Sequence, residues 1–268
     1  MEKAVDKTAA QISALRGEAI EKHGLKLWGI TMGRYEEWAS CKNVWLARQS
    51  TFPVSCIMLS FLDALWTLDM NAIDTVGKPA GFLYKIMYCL GMALGLRKDC
   101  VRGGDITVSA DEETRKLNGI LVKQNGHNAV LITADMFNAI REIVAWQQGD
   151  ELPDESMNDE LLETERELAS RNAPQLKYEL MDMEASVALA CGRRIKEVLD
   201  WSILEFEFAR RAIDRSKKNL ICGIGETNGC KWDGGNPYPS WCFDREKTVS
   251  GALIEQAKFG KSKTKKKE

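Results

Sequence analysis

Residues 54–68, VSCIMLSFLDALWTL, hold one charged side chain, Asp63, and residues 81–96, GFLYKIMYCLGMALGL, again hold one, Lys85. In the first run Ile57, Leu59, Phe61, Leu62, Leu65 and Trp66 leave almost no polar face. A helix apolar nearly all round belongs at the centre of a fold, so both runs predict central helices, the first opened by Pro53. Their charge-free stretches, 49–62 and 86–96, fall short of the roughly 20 apolar residues that span a bilayer. Gly91 and Gly95, four apart, suit a close helix approach. The fold class that follows is mainly α: an irregular helical bundle with a small β-hairpin insertion and an aromatic C-terminal loop region.

Outward from this centre, residues 4–22 read as an exposed amphipathic helix ended by Gly24, and Ile30 to Gln49 as another helix. Asn71 to Pro79 reads as a loop. After Gly103–Gly104 the pattern changes to short runs rich in β-branched residues, at 106–108, 117–123 and 129–133. Asn125-Gly126 between the last two suits the positive φ angles of a hairpin turn, which places a hairpin or three-stranded flap over about 105–133. Thr133 and Asp135 then open a helix with Met136, Ile140, Ile143 and Val144 as its buried stripe, stopped by Gly149. A polar helix is expected at 158–169, broken by Pro174, and further helices at 178–190 and 195–199. Ser202 and Glu205 form the S-x-x-E pattern of a capping box at the head of the last long helix. Its acids come early and its bases (Arg210, Arg211, Arg215, Lys217, Lys218) late, which complements the helix dipole. The organisation expected is one helical domain over 1–257, containing a Trp/Gly/Pro-rich loop at 222–246, and a disordered basic tail at 258–268.

Net charge is -2, with 44% hydrophobic and 28% charged residues, ordinary for a soluble globular chain. Charge is nevertheless segregated. Residues 150–167 hold nine acids against Arg166, and residues 258–268 hold six lysines against Glu268. Each run is read as a solvated surface or as an interaction face, the acidic one as a steering or client-facing surface. The N-terminal residues lack the apolar h-region of a signal peptide. Eight cysteines then point to free thiols in a reducing compartment.

Candidate chemistry is thin. Cys222, Cys230 and Cys242 lack the tight pairs that structural zinc sites take from one knuckle, so no metal is assigned. Gly260-Lys261-Ser262 has Glu255 where a phosphate loop needs glycine, and Gly223-Ile224-Gly225 follows a helix instead of a strand. His23, read at a helix C-terminus, and His127, in the hairpin turn, neighbour no nucleophile. No cofactor and no catalytic residue are therefore assigned. Trp232, Tyr238, Trp241 and Phe243, set among Pro237 and Pro239, remain. Such a loop either folds back onto its own protein or anchors an interface, where Trp and Tyr often dominate binding energy.

Five segments carry a family resemblance: GITMGRYEE (29–37), FPVS (52–55), ITADMFNAIR (132–141), QQGDELPDES (147–156) and GCKWDGGNPYPSWC (229–242). In this order they resemble tail-morphogenesis proteins of tailed bacteriophages of Gram-positive hosts, over roughly Leu25 to Glu246. The resemblance implies a tail or baseplate assembly chaperone or minor tail protein, working by protein–protein contact without enzymatic activity. The partners it implies are other phage tail proteins or a second copy of the chain, and no membrane; the location is the host cytoplasm or the virion. The alternative is a nucleic-acid-associated phage regulator using the basic tail.

Overall fold

The computed structural model describes residues 5–124, 129–155, 164, 167, 179–232 and 236–241. It is mainly α-helical with two small antiparallel sheets. The turn at Asn125–Gly126, His127, the polar helix of 158–169 apart from Thr164 and Glu167 (both helical), Cys242, Phe243 and the 258–268 tail lie outside the described residues. Contacts divide the chain into two compact units, Met1–Glu207 and Phe208–Glu268, and the boundary falls inside the helix Ile203–Thr227.

In the first unit, α1 (Lys7–Arg16) begins at Asp6, whose carboxylate accepts the Ala9 N–H at 2.7 Å. It stops at Gly17 in the left-handed conformation, well before the expected Gly24. Strands β1 (Ile20–Lys22) and β2 (Leu25–Leu27) follow as a hairpin, with Ile20 opposite Leu27 and Lys22 opposite Leu25. His23 and Gly24, both at positive φ, make its two-residue turn, so His23 stands in a hairpin and not at the end of a helix. Burial of Leu25 and Leu27 holds this hairpin against the body.

After a short 3-10 turn, α2 (Tyr35–Trp45) buries Trp38, Cys41, Val44 and Trp45. The apolar run 54–68 is not one helix. It splits into α3 (Val54–Ile57) and α4 (Phe61–Val76) because the Ser60 hydroxyl accepts the Asp63 N–H at 3.1 Å and starts a new helix. Val54 and Met58 are left exposed, and α4 runs through most of the segment expected to be a loop. Helix α5 (Phe82–Ala93) has no cap from its own N-cap residue, Gly81. Asp69 on α4 supplies it instead: one carboxylate oxygen accepts Gly81 N–H (2.8 Å) and Phe82 N–H (3.1 Å), and the other accepts Leu83 N–H (2.9 Å). Gly91 does not mediate a helix crossing. A Cβ there would lie 2.4 Å from the Cys100 sulfur, so the glycine makes room for the buried loop after α5.

Strands β3 (Ile106–Ala110), β4 (Leu117–Val122) and β5 (Val130–Ile132) pair in the order β3-β4-β5, with Val108 opposite Ile120 and Ile120 opposite Ile132. Ile106, Ile120, Val122 and Ile132 are buried. Thr133 precedes α6 (Ala134–Gln147) in extended conformation, but its side chain makes no cap bond. The core face of α6 carries Phe137 and Arg141 in addition to Ile140, Ile143 and Val144, while Met136 is only half-buried.

Aromatic rings join α2, α4 and α6. Phe137 packs edge-on to Trp45 at 5.5 Å and parallel to Phe61 at 6.4 Å between centroids, and Trp45 meets Trp38 at 6.3 Å. The Arg141 guanidinium lies 3.5 Å from the Phe61 ring centre and donates to the carbonyls of Trp45 and Ala47, both at 2.7 Å. Trp45 returns a bond from its indole N–H to the Arg141 carbonyl at 3.2 Å. Burial pulls Arg141 down to about 10, still charged at neutral pH. The described start of the acidic segment is engaged locally. Asp150 pairs with Lys42 at 2.7 Å, Glu151 pairs with Lys7, and Glu155 accepts the N–H groups of Gln49 and Ser50.

Arg141→Met should destabilise the first unit by about 2–5 kcal/mol, because the buried Trp45 carbonyl and the part-buried Ala47 carbonyl lose their donor at roughly 1–3 kcal/mol each and the ring contact goes too. Urea denaturation measures this, and an unchanged midpoint would refute the assignment.

Candidate interaction surface

The second unit is built on the helix Ile203–Thr227, which passes straight through Cys222-Gly223-Ile224-Gly225. The expected loop therefore starts later, at Asn228. There the Asn228 side chain donates to the Ile224 carbonyl at 2.9 Å, and Gly229, at positive φ, turns the chain. The Cys230 N–H then reaches back to the Gly225 carbonyl at 2.9 Å. Ser202 opens the helix with its hydroxyl accepting the Glu205 N–H at 3.1 Å, as the S-x-x-E spacing predicts.

Residues beyond the turn fold back along one side of this helix. Trp232 approaches Gly225, where a Cβ would lie 3.4 Å from the indole ring. Asn219 donates to the Tyr238 carbonyl at 2.7 Å, and Tyr238 takes the Asn236 side chain as acceptor for its own N–H at 2.8 Å. The Lys218 ammonium sits 5.3 Å from the Tyr238 ring centre and pairs with Asp214 at 2.7 Å. That hydrogen bond to Asp214 raises Lys218 above its ordinary value. Lys218 thus serves its own unit. Lys218, Asn219, Cys222 and Gly225 recur three or four apart and so share the covered side.

Leu220, Ile221 and Ile224 point the other way and are 63%, 65% and 53% exposed. The four sequence-predicted anchors divide. Trp241 is 68% exposed, Trp232 is 38% exposed against the helix, Tyr238 is half-buried, and Phe243 lies outside the described residues. The aliphatic face was missed because two glycines at 223 and 225 marked the segment as loop. The signal was present in the spacing of Leu220, Ile221 and Ile224, which is that of one helix face.

Among the described residues, no group of three His, Cys, Asp or Glu side chains is placed to hold a metal ion. No helix among them is long and apolar enough to cross a membrane. Comparison with family models, curated proteins and solved structures gives no match.

Gly223 has open space where a Cβ would sit, and its φ is not positive. Gly223→Ala should therefore stabilise the end of this helix by about 0.5–1 kcal/mol. Amide hydrogen exchange over 220–227 should slow roughly two- to five-fold; faster exchange would mean that the glycine is needed where it stands.

Proposed function

We propose that this chain is a binding protein of phage tail assembly, an assembly chaperone or minor tail component, and that it works without a bond-making step. Its docking element is the 220–224 face of the long helix, with Trp241 as a neighbouring anchor. The observation that carries this reading is the exposure of three aliphatic side chains, Leu220, Ile221 and Ile224, within about one turn of a helix whose other side is covered by its own chain. An amphipathic helix of this kind lays its apolar face into a groove and is read through anchors three and four residues apart.

Charge specifies the occupant. Residues 208–232 hold six bases (Arg210, Arg211, Arg215, Lys217, Lys218, Lys231) against two acids (Asp214, Glu226), a local charge of +4. The partner is therefore a protein with an apolar groove and an acidic rim. Rim charges of this sort speed encounter and fix orientation more than they add affinity. The resemblance of the sequence to tail-morphogenesis proteins supplies the context, with another tail protein as the partner.

The test is co-purification of the full chain with co-expressed tail proteins. Leu220→Glu together with Ile224→Glu should abolish the complex while circular dichroism stays unchanged. Trp241→Ala should weaken it by roughly 30-fold or more if Trp241 is a binding hot spot of about 2 kcal/mol. Full binding by the double variant overturns the docking face. Salt-sensitive DNA binding that disappears when 258–268 is removed would favour the regulator alternative.

A further inference from the structure

Two tyrosines of the first unit stand on the outward side of α5. Tyr84 and Tyr88 are one helical turn apart, and their rings lie parallel, 6° apart in plane with centroids separated by 6.3 Å. Tyr84 is 44% exposed and Tyr88 is half-buried. Tyr88 is braced from the neighbouring element, because the Arg34 guanidinium lies 5.7 Å from its ring centre. Arg34 is itself fixed twice, with Nε donating to Glu37 at 2.8 Å and Nη1 to the Leu96 carbonyl at 2.9 Å. Tyr84 therefore rests on a braced ring while much of its own aromatic surface stays open to solvent.

Charge around the two rings is unbalanced. Lys98 pairs with the same Glu37 carboxylate that holds Arg34, so one acid serves two cations. Arg34 keeps a third nitrogen, Nη2, that finds no acceptor among the described residues. Lys85, exposed, follows Tyr84 directly and stands three residues before Tyr88, on the same side of α5. We propose that Tyr84, Tyr88 and Lys85 form a binding site for one nucleotide unit, with the base stacked on Tyr84 and the phosphate met by Lys85. Arg34 and Lys98 add longer-range attraction.

A planar base joined to a phosphate is the ligand that uses both halves of this surface. Aromatic side chains beside cations are the general means of holding unpaired nucleotides, since every base has a face to stack and every unit carries a negative charge. An apolar groove of a protein would instead leave Lys85 without a partner, at a desolvation cost. A base within a duplex has no free face to offer, so the ligand is a free nucleotide or a unit of a single strand. Bracing of the tyrosine pair lowers the ordering cost of binding. The site lies in the first unit and is separate from the 220–224 face and from the lysine tail.

The experiment titrates the full chain at low salt with dAMP, followed by calorimetry, and with fluorescently labelled oligodeoxyadenylate, followed by anisotropy. Binding of dAMP identifies a free nucleotide as sufficient; binding of the oligonucleotide alone identifies a single strand as the source. Tyr84→Ala should weaken whichever binds by roughly 5- to 150-fold, the loss of one stacked base. Tyr84→Phe, which keeps the ring, should bind as the unaltered chain does. Lys85→Gln should reduce the slope of log affinity against log salt for the oligonucleotide by about 0.7. Circular dichroism checks that each variant folds. The proposal is overturned if neither ligand binds, if Tyr84→Ala binds as well as the unaltered chain, or if Tyr84→Phe loses as much as Tyr84→Ala.

Discussion

Arg141 is the side chain on which the first unit's arrangement depends. A guanidinium out of water is costly unless its donors are used, and Arg141 spends them on the carbonyls of Trp45 and Ala47, at and beyond the end of α2. The Trp45 carbonyl belongs to the group that every helix end leaves without an internal partner, and the Ala47 carbonyl lies just beyond the cap. Closing them with a cation from α6 joins two elements about a hundred residues apart, and the cation also favours the negative end of the α2 dipole. Phe61 beneath the guanidinium brings α4 to the same point, and Phe137, four residues before Arg141 on the same face of α6, stacks on Phe61. Three helices are therefore fixed by one charged group and the rings around it. Nonpolar packing alone tolerates sliding; directed bonds to two named carbonyls do not.

A similar device recurs at several points in the first unit. Asp69 starts α5 from a neighbouring helix. Glu155 accepts N–H groups at the head of the 49–51 turn. Gln124, buried, exchanges bonds with both backbone groups of Lys26 and donates to the Leu94 carbonyl, so that it ties the edge of the β1–β2 hairpin to the end of α5. Gln147 donates to the Leu27 carbonyl at 3.2 Å. Helices of four to sixteen residues joined this way need no regular crossing pattern. Side chains distant in sequence replace local capping, and they set the direction in which each short element enters.

That explains which parts of the fold were legible. Helix α5 and the strands β3 to β5 announce themselves, because their apolar periodicity is imposed by burial on known faces. Local helix starts at Ser202 and Asp6 depend on residues within three positions, and of these the Ser202 pattern was read from sequence. The failures have separate causes. The split of VSCIMLSFLDALWTL was marked by Ser60 and Asp63, a helix start of the same S-x-x-acid kind as Ser202, but the nearly unbroken apolar run around it read as one helix. Glu18 to Lys22 suit a helix, yet positive φ at Gly17 and again at His23 and Gly24 turns the segment into a hairpin. In the second unit the tryptophans stood out by residue type, whereas the face formed by Leu220, Ile221 and Ile224 depended on knowing that the helix survives two glycines.

The size of the exposed face bears on how it can work. Complete burial of a leucine or isoleucine is worth about 1.5–3 kcal/mol, and these three are already one-third to one-half covered, so docking them recovers on the order of 3–5 kcal/mol. Association of two proteins costs an estimated 4–15 kcal/mol in lost freedom before any surplus appears. The aliphatic face alone therefore binds nothing tightly. Trp241, more exposed than any of the three, adds further apolar area within the same unit, and the basic residues along the helix would contribute attraction that salt weakens. Gly223 and Gly225 lower the stability of the helix where the anchors sit. Any docking that stiffens this turn has to offset that ordering cost.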